Sequence, residues 1–198
     1  MAITKIMCMK SAEHGNVAAH LKYSLAYICN EAKTEKGSLV GGINCLPDFS
    51  YEQMKGTKEM FGQTGGRQGY HFIMSLKPGE GTREQMYEIT RRFAEEFLGG
   101  EYEGVFSVHT DKDHLHGHLV YNSVNMVTGR KYSYKRGDWK NVIQPITNRL
   151  CEEYGLSIVA AEYSKDPVNM NRKQWKRSRA GAILSREICS IAETRQKV

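Results

Sequence analysis

No run of 18 apolar residues occurs in this 198-residue chain, which excludes a transmembrane helix of ordinary length. The opening Met1 to Lys10 lacks the apolar core of a secretory signal, so a protein made without export is expected. The five cysteines, Cys8, Cys29, Cys45, Cys151 and Cys189, are scattered, odd in number and free of any C-x-x-C pair. A disulfide framework is therefore not expected, and free thiols in a reducing cytoplasm are. There is no internal repeat and no low-complexity tract. What remains is ordinary for one soluble globular domain with a real core: 40% hydrophobic and 25% charged residues.

Charge is distributed unevenly. The formal net charge is +6, and the segment from Lys165 onward carries nine Lys or Arg against three Asp or Glu. Residues 1–164 are thus neutral overall. A neutral body with a basic C-terminal segment points to a polyanion partner. Trp175 lies among Arg172, Lys173, Lys176, Arg177 and Arg179, a mixture of cations and an aromatic that suits a nucleic-acid backbone.

Patterning predicts the following elements. Residues 2–9 alternate as a first strand. Asn16 caps a helix whose apolar face is Val17, Leu21, Leu25 and Ile28. Residues 30–48 read as loop with short strand pieces such as Leu39-Val40. A short helix is expected over 51–61, a glycine-rich loop over 63–68, and a central strand over 70–76. Thr82 and Gln85 form a capping box for a helix carrying Met86, Ile89, Phe93 and Phe97. Asp138 starts a helix through Ile143, Ile146, Leu150 and Tyr154, stopped by Gly155. A basic helix is expected over 172–195. This order predicts an α+β fold, an antiparallel sheet with helices packed on one face and the other face left for a site.

Four of the seven histidines fall within Val108-His109-Thr-Asp111-Lys-Asp113-His114-Leu-His116-Gly-His118. Both flanks are rich in β-branched and aromatic residues and read as strands. Residues i and i+2 of a strand share a face, so His116 and His118 project together. A turn over Thr110 to Lys112 brings His109 back beside them. Three neutral imidazoles converging from rigid strands make a divalent-metal site with open positions. His114 is the alternative third ligand, and solvated or structural histidines are the plainer reading. Asp111 and Asp113 are placed to hold imidazole tautomers, or simply to form the turn.

A metal site does not name a reaction. His20, Tyr23 and Tyr27 share one face of the first helix, and tyrosines there are most often half-buried packing residues. Their context changes that reading. The run Tyr27-Ile-Cys-Asn30-Glu-Ala-Lys33-Thr34, the strand Tyr70-His71-Phe-Ile-Met-Ser75 and the motif His109-x-Asp-x-x-His-x-His-x-His-x-x-x-Asn122 occur in this order. Together they resemble the conjugative relaxases, specifically mobilisation nucleases of the MobA/VirD2 type within the HUH endonuclease group.

The resemblance implies site- and strand-specific nicking and rejoining of DNA at a transfer origin, through a covalent 5′-phosphotyrosine, to start conjugative transfer or mobilisation. It implies Tyr27 as nucleophile, with Tyr23 as the fallback, and an HUH-type fold with the metal on its central strands. It also implies Mg or Mn in function. Imidazole donors favour Zn, Ni or Co, so the protein as purified is expected to be able to carry one of those. Asp111 or Asp113 would orient groups or accept a proton. Lys33, Arg67 and Asn122, with the basic residues of the tail, are the candidate DNA contacts. Residues 1–164 would be the catalytic domain and 165–198 a basic helical segment leading into a longer natural chain. Expected partners are single-stranded or hairpin origin DNA, an accessory DNA-binding protein and the coupling protein of a secretion system, with no membrane insertion. Other readings of the same residues are a rolling-circle replication initiator, a metal-dependent hydrolase or oxygenase, and a non-catalytic DNA-binding module. The tyrosine precedes the histidine motif here, an order that matches relaxases rather than the simpler initiators.

Overall fold

The computed structural model describes residues 2–12 and 16–159. The expected basic helix over 172–195 lies outside them. Five strands, β1 (Ile3–Lys10), β2 (Val40–Ile43), β3 (Arg67–Ser75), β4 (Gly104–His109) and β5 (His116–Asn122), pair antiparallel in the order β1-β3-β5-β4-β2. Four α-helices lie among the described residues: α1 (Ala19–Ile28), α2 (Ser50–Met60), α3 (Arg83–Leu98) and α4 (Gln144–Glu153). No helix among the described residues is long and apolar enough to cross a membrane.

Strand alternation divides β5, the middle strand, between two cores. Leu119 and Tyr121 face one way, with Phe72, Met74, Phe106 and Val108, and α3 covers them with Met86, Ile89, Phe93 and Leu98. The Phe72 and Phe93 rings stack there at 4.4 Å. Leu150 and Cys151 of α4 join this cluster. The opposite face carries Val105 and Val120, packed under Leu21, Leu25 and Ile28 of α1 and Met54 of α2. Helices therefore cover both faces, not one. Periodicity shows which stripe of a helix is apolar but not which sheet face receives it. The site keeps its opening because α1 ends at Ile28, before the histidine end of β5.

Several local signals hold, and others shift. Thr82 and Gln85 make the reciprocal capping box on α3. Gly155 takes φ +67 and ends the last helix. Asn16 does begin α1, but through a turn: its side chain accepts from Ala18 N–H at 3.0 Å and its carbonyl from Ala19 N–H at 2.9 Å. Regular helix starts only at Ala19, so Val17 falls outside the apolar face and is 42% exposed. The expected glycine-rich loop ends sooner, because β3 already begins at Arg67. The last helix opens with a wider turn over Trp139–Ile143 before α4. Trp139 Nε1 donates to Thr4 Oγ1 at 2.8 Å, which pins that turn to β1.

Gly117, between His116 and His118, faces α3. A Cβ there would sit 2.2 Å from Thr90 Oγ1 and 2.9 Å from Met86 Cε. Strand alternation turns the histidines to one side of the sheet, and the missing side chain at Gly117 lets α3 close tightly on the other. Gly117→Ala overpacks that contact and should cost about 1–3 kcal/mol of stability. Urea denaturation would measure it; an unchanged midpoint would mean that α3 has slack the packing does not show.

Candidate active site

The β4–β5 register sets His109 directly opposite His116, with Ser75 of β3 opposite His116 on its other side. His118 lies two residues further along the same face. The ring centroids of His109 and His118 are 4.3 Å apart, those of His116 and His118 5.0 Å, and those of His109 and His116 5.3 Å. One nitrogen from each ring lies within 4.8 Å of the others. All three side chains are buried. His114 lies before β5 begins and is not one of these three; its carbonyl meets His116 Nδ1 and its ring lies 5.4 Å from the His116 ring.

The second nitrogen of each ring is occupied, and this fixes which one faces the cluster. His109 Nε2–H donates to the Ile28 carbonyl at 3.1 Å. His116 Nδ1–H donates to the His114 carbonyl at 3.3 Å. His118 Nδ1 meets His71 Nε2 at 2.9 Å. What remains is His109 Nδ1, His116 Nε2 and His118 Nε2. The first and third are buried and have no hydrogen-bond partner among the described residues. Burial holds the His116 imidazole down at about 4 and His71 likewise at about 4. Burial, with the surrounding imidazoles, pushes His118 far below its ordinary value, and burial also lowers His109. Neutral rings with inward lone pairs are the protonation state a divalent metal requires. The donor set fits such an ion.

Tyr27 occupies the last turn of α1, and its ring edge meets His109 at 5.3 Å, His118 at 5.8 Å and His71 at 6.5 Å. It is 43% exposed, whereas Tyr23, one turn earlier, is 72% exposed. The next residue, Ile28, packs in the core while its carbonyl, one of the acceptors a helix end leaves unpaired, receives His109. The segment that follows is folded by its own side chains. Asn30 Oδ1 accepts from Ala32 N–H at 2.9 Å, Thr34 Oγ1 donates to the Asn30 carbonyl at 3.0 Å, and Thr110 N–H donates to the Lys33 carbonyl at 3.0 Å. The Asn-x-x-Lys-Thr pattern is thus a turn that fastens Lys33 to the end of β4.

Lys33 Nζ lies 4.3 Å from the centre of the Tyr27 ring and 3.4 Å from Asp111 Oδ2. Partial burial opposes its charge, but the hydrogen bonds to Tyr27 and Asp111 outweigh it and hold Lys33 above the ordinary lysine value. The same pairing holds the Asp111 carboxyl low, against its own partial burial. Asp111 Oδ1 is 3.8 Å from His116 Nε2, the cluster-facing nitrogen. Asp111 therefore does not hold a tautomer as expected: the outer nitrogens of His109 and His116 bond to backbone carbonyls, and that of His118 lies against His71. Asp113 lies further into the turn and acts on the charge of His114.

Two expected DNA contacts are elsewhere. Asn122 is buried, accepts from Lys58 Nζ at 2.6 Å and donates to Glu103 Oε2 at 2.7 Å and to the Met54 carbonyl at 3.1 Å. It locks α2 to the sheet and is closed to DNA. Arg67 reaches Cys8 Sγ at 3.1 Å, the Tyr70 hydroxyl at 2.6 Å and the Tyr132 carbonyl at 3.3 Å, among side chains of the α3 face. Both end in internal hydrogen bonds, which a residue-type argument does not foresee. Arg172, Lys173, Lys176, Arg177 and Arg179 lie outside the described residues. The His71–His118 contact was not predicted; the strand placement of His71 was its only signal.

Residues 27–156 match the family described as relaxase, MobA/VirD2-like, nuclease domain. The chain belongs to this family. The relaxase fold is shared with the solved MobM relaxase domain bound to plasmid oriT DNA and Mn, at TM-score 0.58 and 16% identity over 89% of this chain and 96% of that one. A structure from work on vancomycin resistance transfer in Staphylococcus aureus superposes at TM-score 0.53 and 14% identity, over 82% and 98% of the two chains. A Staphylococcus aureus protein Rlx is 35% identical over 183 residues, 89% of this relaxase chain and 52% of Rlx. The group II intron-interrupted relaxase LtrB of Lactococcus lactis is 28% identical over 79% of this chain and 34% of its own length. The chain thus spans about half of Rlx and a third of LtrB. Family membership sets aside the hydrolase, oxygenase and replication-initiator readings.

The buried imidazoles have a consequence for stability. His71 and His116 titrate near 4 in the fold and at about 6.5 when unfolded, so the unfolded chain binds more protons between those values. Stability of the metal-free protein should fall as pH drops from 7 to 5, by up to about 1.4 kcal/mol per pH unit for each ring. Urea titrations in EDTA at pH 7, 6 and 5 would measure it. Equal stability at all three would show that these rings charge without cost.

Proposed function

We propose that this relaxase domain nicks and rejoins one DNA strand at a transfer origin, with Tyr27 as the nucleophile and His109, His116 and His118 as the ligands of a divalent metal. The observation that carries the reading is the placement of Tyr27: a half-exposed phenol set edge-on against a cluster of neutral imidazoles whose free nitrogens converge. The covalent step forms a bond from Tyr27 Oη to phosphorus and breaks the bond from phosphorus to the 3′ oxygen. The phenol proton leaves to water, and the released 3′ oxygen takes one up. The 5′ phosphate stays on Tyr27, which conserves the ester for rejoining.

A bound Mg or Mn would polarise the scissile phosphate and neutralise charge that develops on it. The MobM domain is Mn-bound, which favours that metal for the test below. Lys33 places a cation over the Tyr27 ring, where it favours loss of the phenol proton and so formation of the attacking phenolate. Asp111 restrains Lys33 from the other side. Tyr23 faces outward and takes no covalent role.

Origin DNA is the substrate in this reading, and the basic residues within 165–198 extend its contact beyond the catalytic domain, residues 1–164. The accessory and coupling proteins of a transfer machine would be its partners. The unpaired thiols of Cys8, Cys29, Cys45 and Cys151 suit work in the cytoplasm.

Labelled single strands from candidate transfer origins, incubated with Mn²⁺ and resolved on a denaturing gel, test the reading. The parent should give a protease-sensitive covalent band. Tyr27→Phe and His116→Ala should each lose it by at least about 10³-fold, and Tyr23→Phe should keep it. Lys33→Met should slow its formation by about 10²-fold, the scale of removing one transition-state donor. A band that survived Tyr27→Phe would move the nucleophile elsewhere. Tight binding to an origin strand that the parent never cuts would make the chain a binding module.

A further inference from the structure

The three cluster histidines are not oriented in the same way. His109 and His116 donate to backbone carbonyls, those of Ile28 and His114, which no side-chain substitution removes. His118 relies on a side chain. His71 stands on β3 diagonally across from it: the register pairs His71 with Val120 and Ile73 with His118, so both rings project to the same face. Their nitrogens are 2.9 Å apart and their ring centroids 5.1 Å, with both side chains buried.

In such a pair one nitrogen donates and the other accepts. His118 Nε2 points into the cluster with no hydrogen-bond partner among the described residues. For that nitrogen to offer a lone pair, the ring proton of His118 must sit on Nδ1. His71 Nε2 must then be the acceptor, with the His71 proton on its own Nδ1. We propose that His71 is a positioning residue that holds His118 in its metal-binding tautomer and orientation through the Nδ1–H to Nε2 hydrogen bond. The inference rests on the metal-site reading of the histidine cluster. The His71 ring also borders Tyr27, at 6.5 Å between centroids.

The role requires an acceptor at that point, not a ring. Gln places its amide oxygen near the position of Nε2, whereas Phe keeps the ring volume and removes the acceptor. Parent, His71→Gln and His71→Phe would be stripped with EDTA and titrated calorimetrically with Mn²⁺ in the absence of DNA, with Co²⁺ absorption as a second readout and circular dichroism as the control for folding. His71→Phe should bind Mn²⁺ about 10–100-fold more weakly and change the Co²⁺ spectrum, while His71→Gln should stay close to the parent. His71→Leu takes the place of the Phe variant should the larger ring misfold.

A folded Phe or Leu variant with parental affinity and spectrum would overturn the assignment of His71 and leave the metal site standing. Equal loss in the Gln and apolar variants would also overturn it, since the ring itself would then be what matters. A parent that bound no Mn²⁺ would overturn the metal site and this inference together.

Discussion

The site depends on three imidazoles being kept neutral and turned inward inside a folded sheet. A buried polar nitrogen left without a partner costs about 1–3 kcal/mol, and the cluster carries two such atoms, His109 Nδ1 and His118 Nε2. The fold bears that cost by tying down the opposite nitrogen of each ring and by packing the strands from both sides. An ion that takes the free lone pairs turns the same atoms from a liability into binding energy. The arrangement is destabilising by itself and becomes favourable only with a ligand. A purely structural hairpin has no reason to keep it.

Tyr27, the proposed nucleophile, is coupled to that cluster by the backbone as well as by proximity. Tyr27 and Ile28 are consecutive: one presents the phenol, and the carbonyl of the other orients His109. Any shift of the α1 terminus therefore moves the Tyr27 phenol and the His109 ring together. Lys33 is carried by the turn that follows, and its carbonyl is bonded to Thr110, the residue after His109. Helix end, turn and strand end form one closed loop of hydrogen bonds around the site. The segments that carry Tyr27, Lys33 and the imidazoles are therefore anchored to one another by backbone hydrogen bonds.

Much of this was legible in the chain. The period of two placed His116 and His118 on one face, and the polar turn over Thr110 to Lys112 returned the strand so that His109 met them. The capping box at Thr82 and the stop at Gly155 were local signals with local answers. The unreadable parts depend on what lies across space. No pattern within β3 tells which neighbour His71 will touch, because that follows from the register with β5. Asn122 looked like a strand-end polar residue beside the site. It is buried because Lys58, on the apolar side of α2, extends its amine to it, and burial lowers that amine to about 8. The backbone carbonyls of Ile28 and His114 carry no sequence signature at all.

The glycine between the two strand histidines shows how function and packing share one motif. An H-x-H pair needs only that both rings reach the same side, so the middle residue is free as far as the metal is concerned. It is not free as far as the sheet is concerned, since α3 lies on the other face with Thr90 and Met86 against it. Helix α3 in turn carries the aromatic core, including Phe93 on Phe72, the immediate neighbour of His71 on β3. Pressure from α3 is thus transmitted to β3 and β5 together, the two strands whose register brings His71 to His118. The apolar core on one side of the sheet thus backs the two strands whose register spaces the imidazoles on the other.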